Sequence, residues 1–299
     1  MNPSGAQTAA GEGYFAPDSM LRRVQRERVV GLLYGQRALA IGAIDPRNFI
    51  GTLRTSRYVD RPFQRLVATA LMFETIFFGT RDEADRVLAA VRRMHSRVRG
   101  ELPEDAGRFP AGTPYSAFDP ELMLWTVAVT AESAMHFYEL FVRRPSEAER
   151  DAFWRDYVRF GELFGMPPEV APPDWASFRR YFDAKVHGPD AHLTEEARYV
   201  GRAVMFQIPV PRSRLPAMQV HNLILRGSLP PRVRELYGLS WSKQDELAFR
   251  AAVAAHKLSR PLLPERLLRG RSARDYQLVA RTERQLIARG RPIPGALAG

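Results

Sequence analysis

The 299-residue chain contains no cysteine. Disulfides, thiolate nucleophiles, cysteine-ligated zinc, iron–sulfur clusters and thiolate-ligated haem are therefore all excluded. Any metal ion must be held by histidine, methionine, tyrosine or carboxylate side chains, and the chain has only six histidines.

Lysine is almost as scarce, since it occurs only at positions 185, 243 and 257, and arginine supplies nearly all of the positive charge behind the net value of +11. A basic protein can bind nucleic acid through phosphate contacts. Here, however, arginines alternate with acids in residues 22–28, 81–93 and 143–155, as on solvated helix faces. A DNA-binding helical regulator would also need a helix–turn–helix pattern, and we find no convincing example. The sequence thus predicts no nucleic-acid partner.

Long uncharged apolar runs are missing too, and the first fifteen residues lack a basic segment followed by an apolar one. We therefore expect no transmembrane segment and a cytoplasmic protein. Phosphate-binding glycine loops, HExxH, GxSxG and acidic clusters with metal spacing are also absent from the sequence.

Apolar residues recur with helical spacing along most of the chain, and no useful strand-period alternation interrupts them. The sequence predicts an all-α fold with one helical domain in residues 18–270. Residues 1–17 are small and polar and are expected to be a disordered tail, and residues 271–299 a C-terminal helix and tail. Oligomeric state is left open by the sequence.

Capping signals mark where several helices begin. Asp60 and Pro62 predict a helix over 62–78, and the Thr80-x-x-Glu83 capping box predicts the next, ending at Arg99 before Gly100. Residues 120–144 are apolar on nearly all sides, which indicates a buried central helix.

His95 continues an apolar stripe of the helix that follows Thr80. The stripe consists of Ala84, Val87, Leu88, Val91 and Val98. Its spacing directs the imidazole inward, so His95 is either a ligand or a core histidine with one satisfied hydrogen bond.

Arg65 and Thr69 lie four residues apart, on the same face of the preceding helix as Met72, Phe73 and Ile76. They would present a cation and a hydroxyl beside an apolar surface. The alternative is an exposed arginine and a threonine that bonds its own helix backbone.

Four pieces of sequence in this region together resemble one known family. They are Arg65-x-x-x-Thr69, the following FFG, Arg92-x-x-His95-x-x-Val98-x-Gly100, and YSAFDPELMLW at 115–125. The pattern is similar to the rubber-oxygenase catalytic-domain family, which includes latex-clearing proteins and the mycophenolic-acid-pathway oxygenase. The resemblance implies many helices packed around a buried cofactor cavity in a globin-like manner.

The resemblance further implies a haem b-dependent oxidoreductase that acts with dioxygen on an apolar, unsaturated substrate. His95 would then be the iron ligand, and Arg92 would bind a haem propionate or steady that ligand. Arg65 and Thr69 would be catalytic, polarising dioxygen or holding a propionate.

Two positions depart from the family pattern. Asp45 and Val127 stand where related chains often have histidine, and His136 lies on a different helix face from Val127 and is not a replacement. The alternative function is therefore a non-catalytic helical protein that binds a hydrophobic small molecule and has lost the haem site.

Overall fold

The computed structural model describes residues 12–54 and 60–296, and these form a single all-α domain with one small β-hairpin. The prediction of an all-α fold is confirmed. The α-helices within the described ranges are α1 (Met20–Gln25), α2 (Arg28–Gly42), α3 (Pro46–Arg54), α4 (Pro62–Phe78), α5 (Arg81–His95), α6 (Pro120–Phe141), α7 (Glu147–Phe164), α8 (Trp175–His187), α9 (Glu195–Phe206), α10 (Leu215–Ser228), α11 (Pro231–Leu236), α12 (Lys243–Ser259), α13 (Glu265–Leu268) and α14 (Ala273–Ala288). The hairpin strands are β1 (Arg99–Glu101) and β2 (Pro114–Ser116), which pair antiparallel. Short 3₁₀ turns occupy Pro168–Val170, Arg212–Arg214 and Arg260–Leu262.

Helix α6 is the centre of the fold, as its apolar composition predicts. The side chain of Asp119 accepts hydrogen bonds from the first-turn amides, and Pro120 occupies the first helical position. Sixteen of the 22 residues of α6 are buried, so other helices cover it on most sides. Helix α2 is its main neighbour, and α7, α8 and α12 also pack against it.

A tertiary contact, and not the predicted Asp60 cap, stabilises the start of helix α4. Arg61 is the N-cap residue and makes no side-chain capping bond. Instead, the Glu283 carboxylate of α14 accepts hydrogen bonds from the amides of Phe63 and Gln64, at 3.1 and 2.7 Å. An anion at a helix N-terminus is also favoured by the helix dipole. Helix α14 therefore fixes the start of α4, although it lies more than 200 residues away in sequence.

Helix α5 begins as predicted, with the complete Thr80–Glu83 capping box. Its predicted end at Arg99 is wrong, because the helix stops at His95 and the chain enters the hairpin. Gly100 pairs with Tyr115, and a β-carbon at Gly100 would lie only 2.8 Å from the tyrosine hydroxyl. The glycine therefore permits a close cross-strand approach rather than terminating a helix.

The N-terminal segment is packed from residue 12 onward, which corrects the part of the predicted 1–17 tail that the structure describes. Phe15 is buried in the main core and contacts Phe77 edge-on, while the Tyr14 hydroxyl bonds to Asp85. Residues 1–11 lie outside the described residues.

Candidate active site

His95 is the last residue of α5, and the amphipathic pattern of that helix determines its position. Ala84, Leu88 and Val91 of the predicted stripe are buried, and His95 follows them half-buried at the end of the helix. Burial lowers the pKa of the imidazole below its usual 6.5. Neither ring nitrogen bonds to a residue in the described ranges. His95 is therefore a neutral imidazole at neutral pH with both nitrogens available.

Two aromatic rings contact the imidazole. The ring centroids of Phe118 and Phe164 lie 6.2 and 6.4 Å from that of His95. Phe118 remains 40% exposed, whereas Phe164 belongs to α7 and packs on the main core. The imidazole thus lies near the surface of the helical bundle, between an outer and an inner aromatic ring.

Phe164 connects His95 to the face of α4 that carries Arg65 and Thr69. Its ring centroid is 6.4 Å from that of Phe73, which follows Thr69 by one helical turn on the same face. Arg65 and Thr69 are both half-buried. Burial lowers the pKa of Arg65 to about 10, so the guanidinium still carries its charge at neutral pH. Phe164 therefore links His95 to Phe73 of α4, the helix that also carries Arg65 and Thr69.

Arg92 lies one turn before His95 and is exposed to solvent. The two side chains are neighbours on the surface of α5 because they are three residues apart. Arg92 can thus reach a group at the rim of the His95 site, but it is not buried within the site.

Asp45 has a structural role of its own. Its buried carboxylate accepts two hydrogen bonds from the Arg47 guanidinium, at 3.1 and 2.8 Å, and Lys185 lies 3.6 Å away. Glu121 pairs with both cations, at 3.2 Å from Arg47 and 2.8 Å from Lys185. Asp45 is therefore the centre of an ion-pair cluster, at a position where the family resemblance led us to expect histidine.

Val127 likewise fills a packed position. A β-carbon at Gly161 of α7 would lie 3.0 Å from the Val127 methyl group and 2.6 Å from Met166, so the two helices are in close contact there. Trp125 is fully buried, donates to the Gly42 carbonyl at 3.1 Å and stacks on Phe182. The indole therefore contacts α2 and α8 rather than the His95 site.

A buried charge network between α2, α6 and α8 was missed by sequence reasoning. The Arg37 guanidinium bonds to the Glu132 carboxylate, and its Nε donates to the Ser228 carbonyl at 3.0 Å. Arg179 pairs with the same carboxylate at 2.9 Å. The sequence feature that could have predicted the network is the presence of Arg37 and Glu132 within otherwise apolar stretches of two buried helices.

Burial would raise the pKa of Glu132, but the charge and hydrogen bond of Arg37 outweigh this effect and hold the pKa at about 2. His136 lies one turn after Glu132, where burial and the charge of Arg37 lower its pKa to about 3. His136 is thus a neutral imidazole within the packed network of Arg37 and Glu132. The sequence analysis did not assign it as a ligand.

Comparison with known proteins identifies the family. The profile described as "ER-bound oxygenase mpaB/B′/Rubber oxygenase, catalytic domain" matches residues 22–258. Two uncharacterized proteins, one from Mycobacterium bovis and one from Mycobacterium tuberculosis, are each 26% identical over 207 residues, which is 69% of this chain and 77% of theirs. No solved structure matches the chain. Among the described helices, none has both the length and the apolar character to cross a membrane. The family match spans most of the chain and includes every predicted site residue, so the protein belongs to the mpaB/rubber-oxygenase catalytic-domain family and contains an oxygenase-type domain.

Proposed function

We propose that the protein is a haem b-dependent oxygenase that acts with dioxygen on an apolar, unsaturated small molecule. The observation that carries this proposal is His95, a half-buried imidazole with no hydrogen bond to any described residue, which contacts Phe164. Phe164 in turn contacts Phe73, on the face of α4 that carries Arg65 and Thr69. Family membership supports the reaction class.

The chemistry of the available donors fits haem better than a metal ion bound by protein alone. In residues 12–54 and 60–296, no group of three or more His, Asp or Glu side chains could hold a metal. A single imidazole can hold iron when a porphyrin supplies the other nitrogens. The aromatic rings of Phe118 and Phe164 also suit the flat apolar face of a macrocycle.

Each predicted residue has a role consistent with its environment. His95 would hold the iron, and Arg92 at the rim would pair with a propionate. Haem b would supply the iron centre at which dioxygen reacts. Arg65 would contribute a fixed positive charge and Thr69 a hydroxyl beside dioxygen, and the phenylalanine rings would exclude water and receive the apolar substrate.

The proposal is tested first on purified wild-type protein. We expect a Soret band and one iron per chain, either as isolated or after reconstitution with haemin. A colourless, iron-free protein that cannot be reconstituted would instead support the alternative, a non-catalytic helical protein that binds a hydrophobic small molecule. The structural roles of Asp45 and Val127, where relatives often have histidine, favour that alternative as the second candidate.

The reaction class is tested by oxygen uptake. An unsaturated hydrocarbon should stimulate uptake, whereas its saturated counterpart should not. Arg65→Met and Thr69→Val should retain haem and lose most of the uptake, because they remove groups beside the reacting oxygen. Loss of haem from both variants would assign these residues to cofactor binding instead.

A cytoplasmic location stays a prediction.

A further inference from the structure

An apolar stripe runs along the solvent-facing side of α12. It includes Leu247, Ala251, Ala254 and Leu258, all exposed, whose spacing of four, three and four residues places them on one side of the helix. Leu262 follows about one turn later, in the 3₁₀ turn that continues α12. We call these five residues the leucine stripe.

The leucines of the stripe are highly exposed. Leu247, Leu258 and Leu262 are 71%, 77% and 84% exposed, and they are the three most exposed large apolar side chains in the described part of the chain. Leu267 of α13 is the next, at 55%. Single exposed apolar residues are ordinary on protein surfaces, but a contiguous group of them indicates a surface that binds a partner.

The opposite side of α12 attaches the helix to the fold. Val253 is buried in the main core, and His256 contacts Phe141, the last residue of α6, with ring centroids 4.9 Å apart. The leucine stripe is therefore left over after α12 has packed. Phe118, which contacts His95, precedes α6 at its other end, so the rise of a 22-residue helix, about 33 Å, separates the stripe from the His95 site.

Basic residues border the stripe. Lys243, Arg250 and Lys257 recur every seven residues, so they form a row along α12 beside the stripe, and all three are exposed. Arg266 of α13 is exposed as well. Arg250 pairs with Glu246 at 2.6 Å. The other three cations form no ion pair with a described residue, so their charges face solvent.

The nearby acids are already engaged with arginines. The ion pairs are Asp245 with Arg226, Glu246 with Arg250, Glu265 with Arg269, and Glu27 with Arg260 and Arg269. These pairs leave the charges of Lys243, Lys257 and Arg266 unbalanced. The surface around the stripe is therefore positive and attracts an anionic partner.

A second copy of this chain matches the surface poorly. The spacing of the stripe is that of a coiled-coil seam, and an antiparallel pair of α12 helices would bring Leu247 of one copy against Leu258 of the other. The basic row of each copy would then lie beside the basic row of the other. Repulsion between these like charges disfavours the pairing.

The composition of the surface favours lipid over another protein. Protein-binding surfaces are enriched in aromatic residues and methionine and depleted in lysine. Here, the exposed large apolar side chains between residues 247 and 267 are all leucine, and two of the three unbalanced cations are lysine. Leucine on one face with lysine and arginine beside it is the pattern of helices that lie in a membrane interface.

We propose that the leucine stripe docks this protein on the surface of an anionic lipid bilayer. The leucine side chains enter the boundary between headgroups and acyl chains, and Lys243, Lys257 and Arg266 lie against lipid phosphates. The docking is peripheral, because among the described helices none could cross a membrane. This surface is independent of the proposed haem site.

Co-sedimentation of the purified chain with lipid vesicles tests the proposal. Vesicles of phosphatidylcholine with about one-third phosphatidylglycerol should bind the protein at least about tenfold more tightly than vesicles of phosphatidylcholine alone, because each cation near an anionic surface raises the affinity about fivefold. Raising the salt concentration to about 1 M should remove most of this preference. No binding to the anionic vesicles, or equal binding to both kinds, would overturn the proposal.

A leucine variant tests the apolar half of the surface. Leu258→Asn should weaken binding to the anionic vesicles about fivefold or more, since it removes an inserted side chain without changing the net charge. Met94→Asn is the matched control, because Met94 is also exposed on a helix but lies next to His95, at the distant end of α6. Unchanged binding in Leu258→Asn, or an equal loss in Met94→Asn, would show that the stripe does not enter the bilayer.

A charge variant tests the basic half. Replacing Lys243, Lys257 and Arg266 together by glutamine should remove most of the preference for anionic vesicles. The matched control replaces three exposed arginines on or just after α5 by glutamine, namely Arg86, Arg93 and Arg97, and should keep the preference. An equal loss in the two triple variants would assign the binding to overall positive charge and overturn the proposal.

Sedimentation equilibrium without lipid distinguishes a second copy as the occupant. A dimer that Leu258→Asn dissociates, in a chain that does not bind vesicles, would make the stripe a self-association surface and overturn the proposal. We expect a wild-type oligomeric state that Leu258→Asn does not change. Far-UV circular dichroism checks that every variant is folded, and because the substituted side chains are exposed, each should keep the wild-type helix content.

Discussion

His95 and His136 are both neutral imidazoles on helices, yet their surroundings differ completely. His95 contacts two phenylalanine rings and has no nearby charge that shifts its pKa, since burial alone lowers it. His136 lies beside Arg37, Glu132 and Arg179, in the packed interior of the helical bundle. The comparison teaches that a lowered histidine pKa does not by itself indicate a ligand. What distinguishes His95 is an apolar, partly open setting in which the proposed iron–nitrogen bond would meet no competing charge.

The largest expected effect is loss of haem from His95→Ala, with retention in His136→Ala. Under the proposed function, removing the imidazole would remove the iron–nitrogen bond, whereas His136 would not hold the cofactor. Absorbance at the Soret maximum measures this, and far-UV circular dichroism should show that both variants remain helical. A folded His95→Ala variant with full haem content would show that His95 is not the ligand, even if the oxygenase function stands.

The second prediction concerns the charge network. Arg37→Met should lower the free energy of unfolding by about 3–5 kcal/mol, because Glu132 keeps a buried charge without its main partner. Urea denaturation measures the loss. Arg93→Met is the matched control, since Arg93 is exposed on α5 and its removal should change stability by less than about 0.5 kcal/mol. Equal losses in the two variants would mean that the network does not stabilise the fold.

Capping signals predicted where helices begin because each signal depends only on residues three or four positions apart. The predicted Thr80–Glu83 box is complete in the structure, and the structure shows a second complete box at Ser146–Glu149. The apolar stripe of α5 is equally local. It predicted an inward-facing His95, and the structure places the imidazole half-buried at the end of that stripe.

Features that depend on distant partners could not be predicted in the same way. Glu283 caps α4 from the far end of the chain, and Gly100 is required in the hairpin because Tyr115 lies against it. The ion pair of Arg37 with Glu132 joins residues 95 positions apart. Helical periodicity identifies which positions are buried but does not identify their partners, so the extent of α5 and the charge network required the structure.

The third prediction concerns the pH dependence of the free energy of unfolding, to which the lowered pKa of His136 contributes. An unfolded histidine takes up a proton near pH 6.5, but His136 does so in the folded state only at about pH 3. Between these values the unfolded chain binds more protons, so stability rises with pH and is lost as the pH falls below about 6.5. Urea denaturation of His136→Gln from pH 7 to 4.5 should show a shallower loss than wild type. Parallel curves would contradict a depressed pKa for His136.

The smallest expected effect is that of Arg92→Gln on haem affinity. Arg92 is exposed, so a pair between its guanidinium and a propionate would be screened by water and contribute roughly 0.2–1 kcal/mol, or about a 1.4- to 5-fold change in affinity. Haem titration of the apoprotein at low salt should show this weakening, and about 1 M salt should remove most of it. Arg93→Gln makes the same charge change one residue along, where the side chain points about 100° around the helix from Arg92. Equal weakening in the two variants would indicate a general effect of net charge. A specific loss at Arg92, removed by salt, would instead place a propionate at the rim of the His95 site.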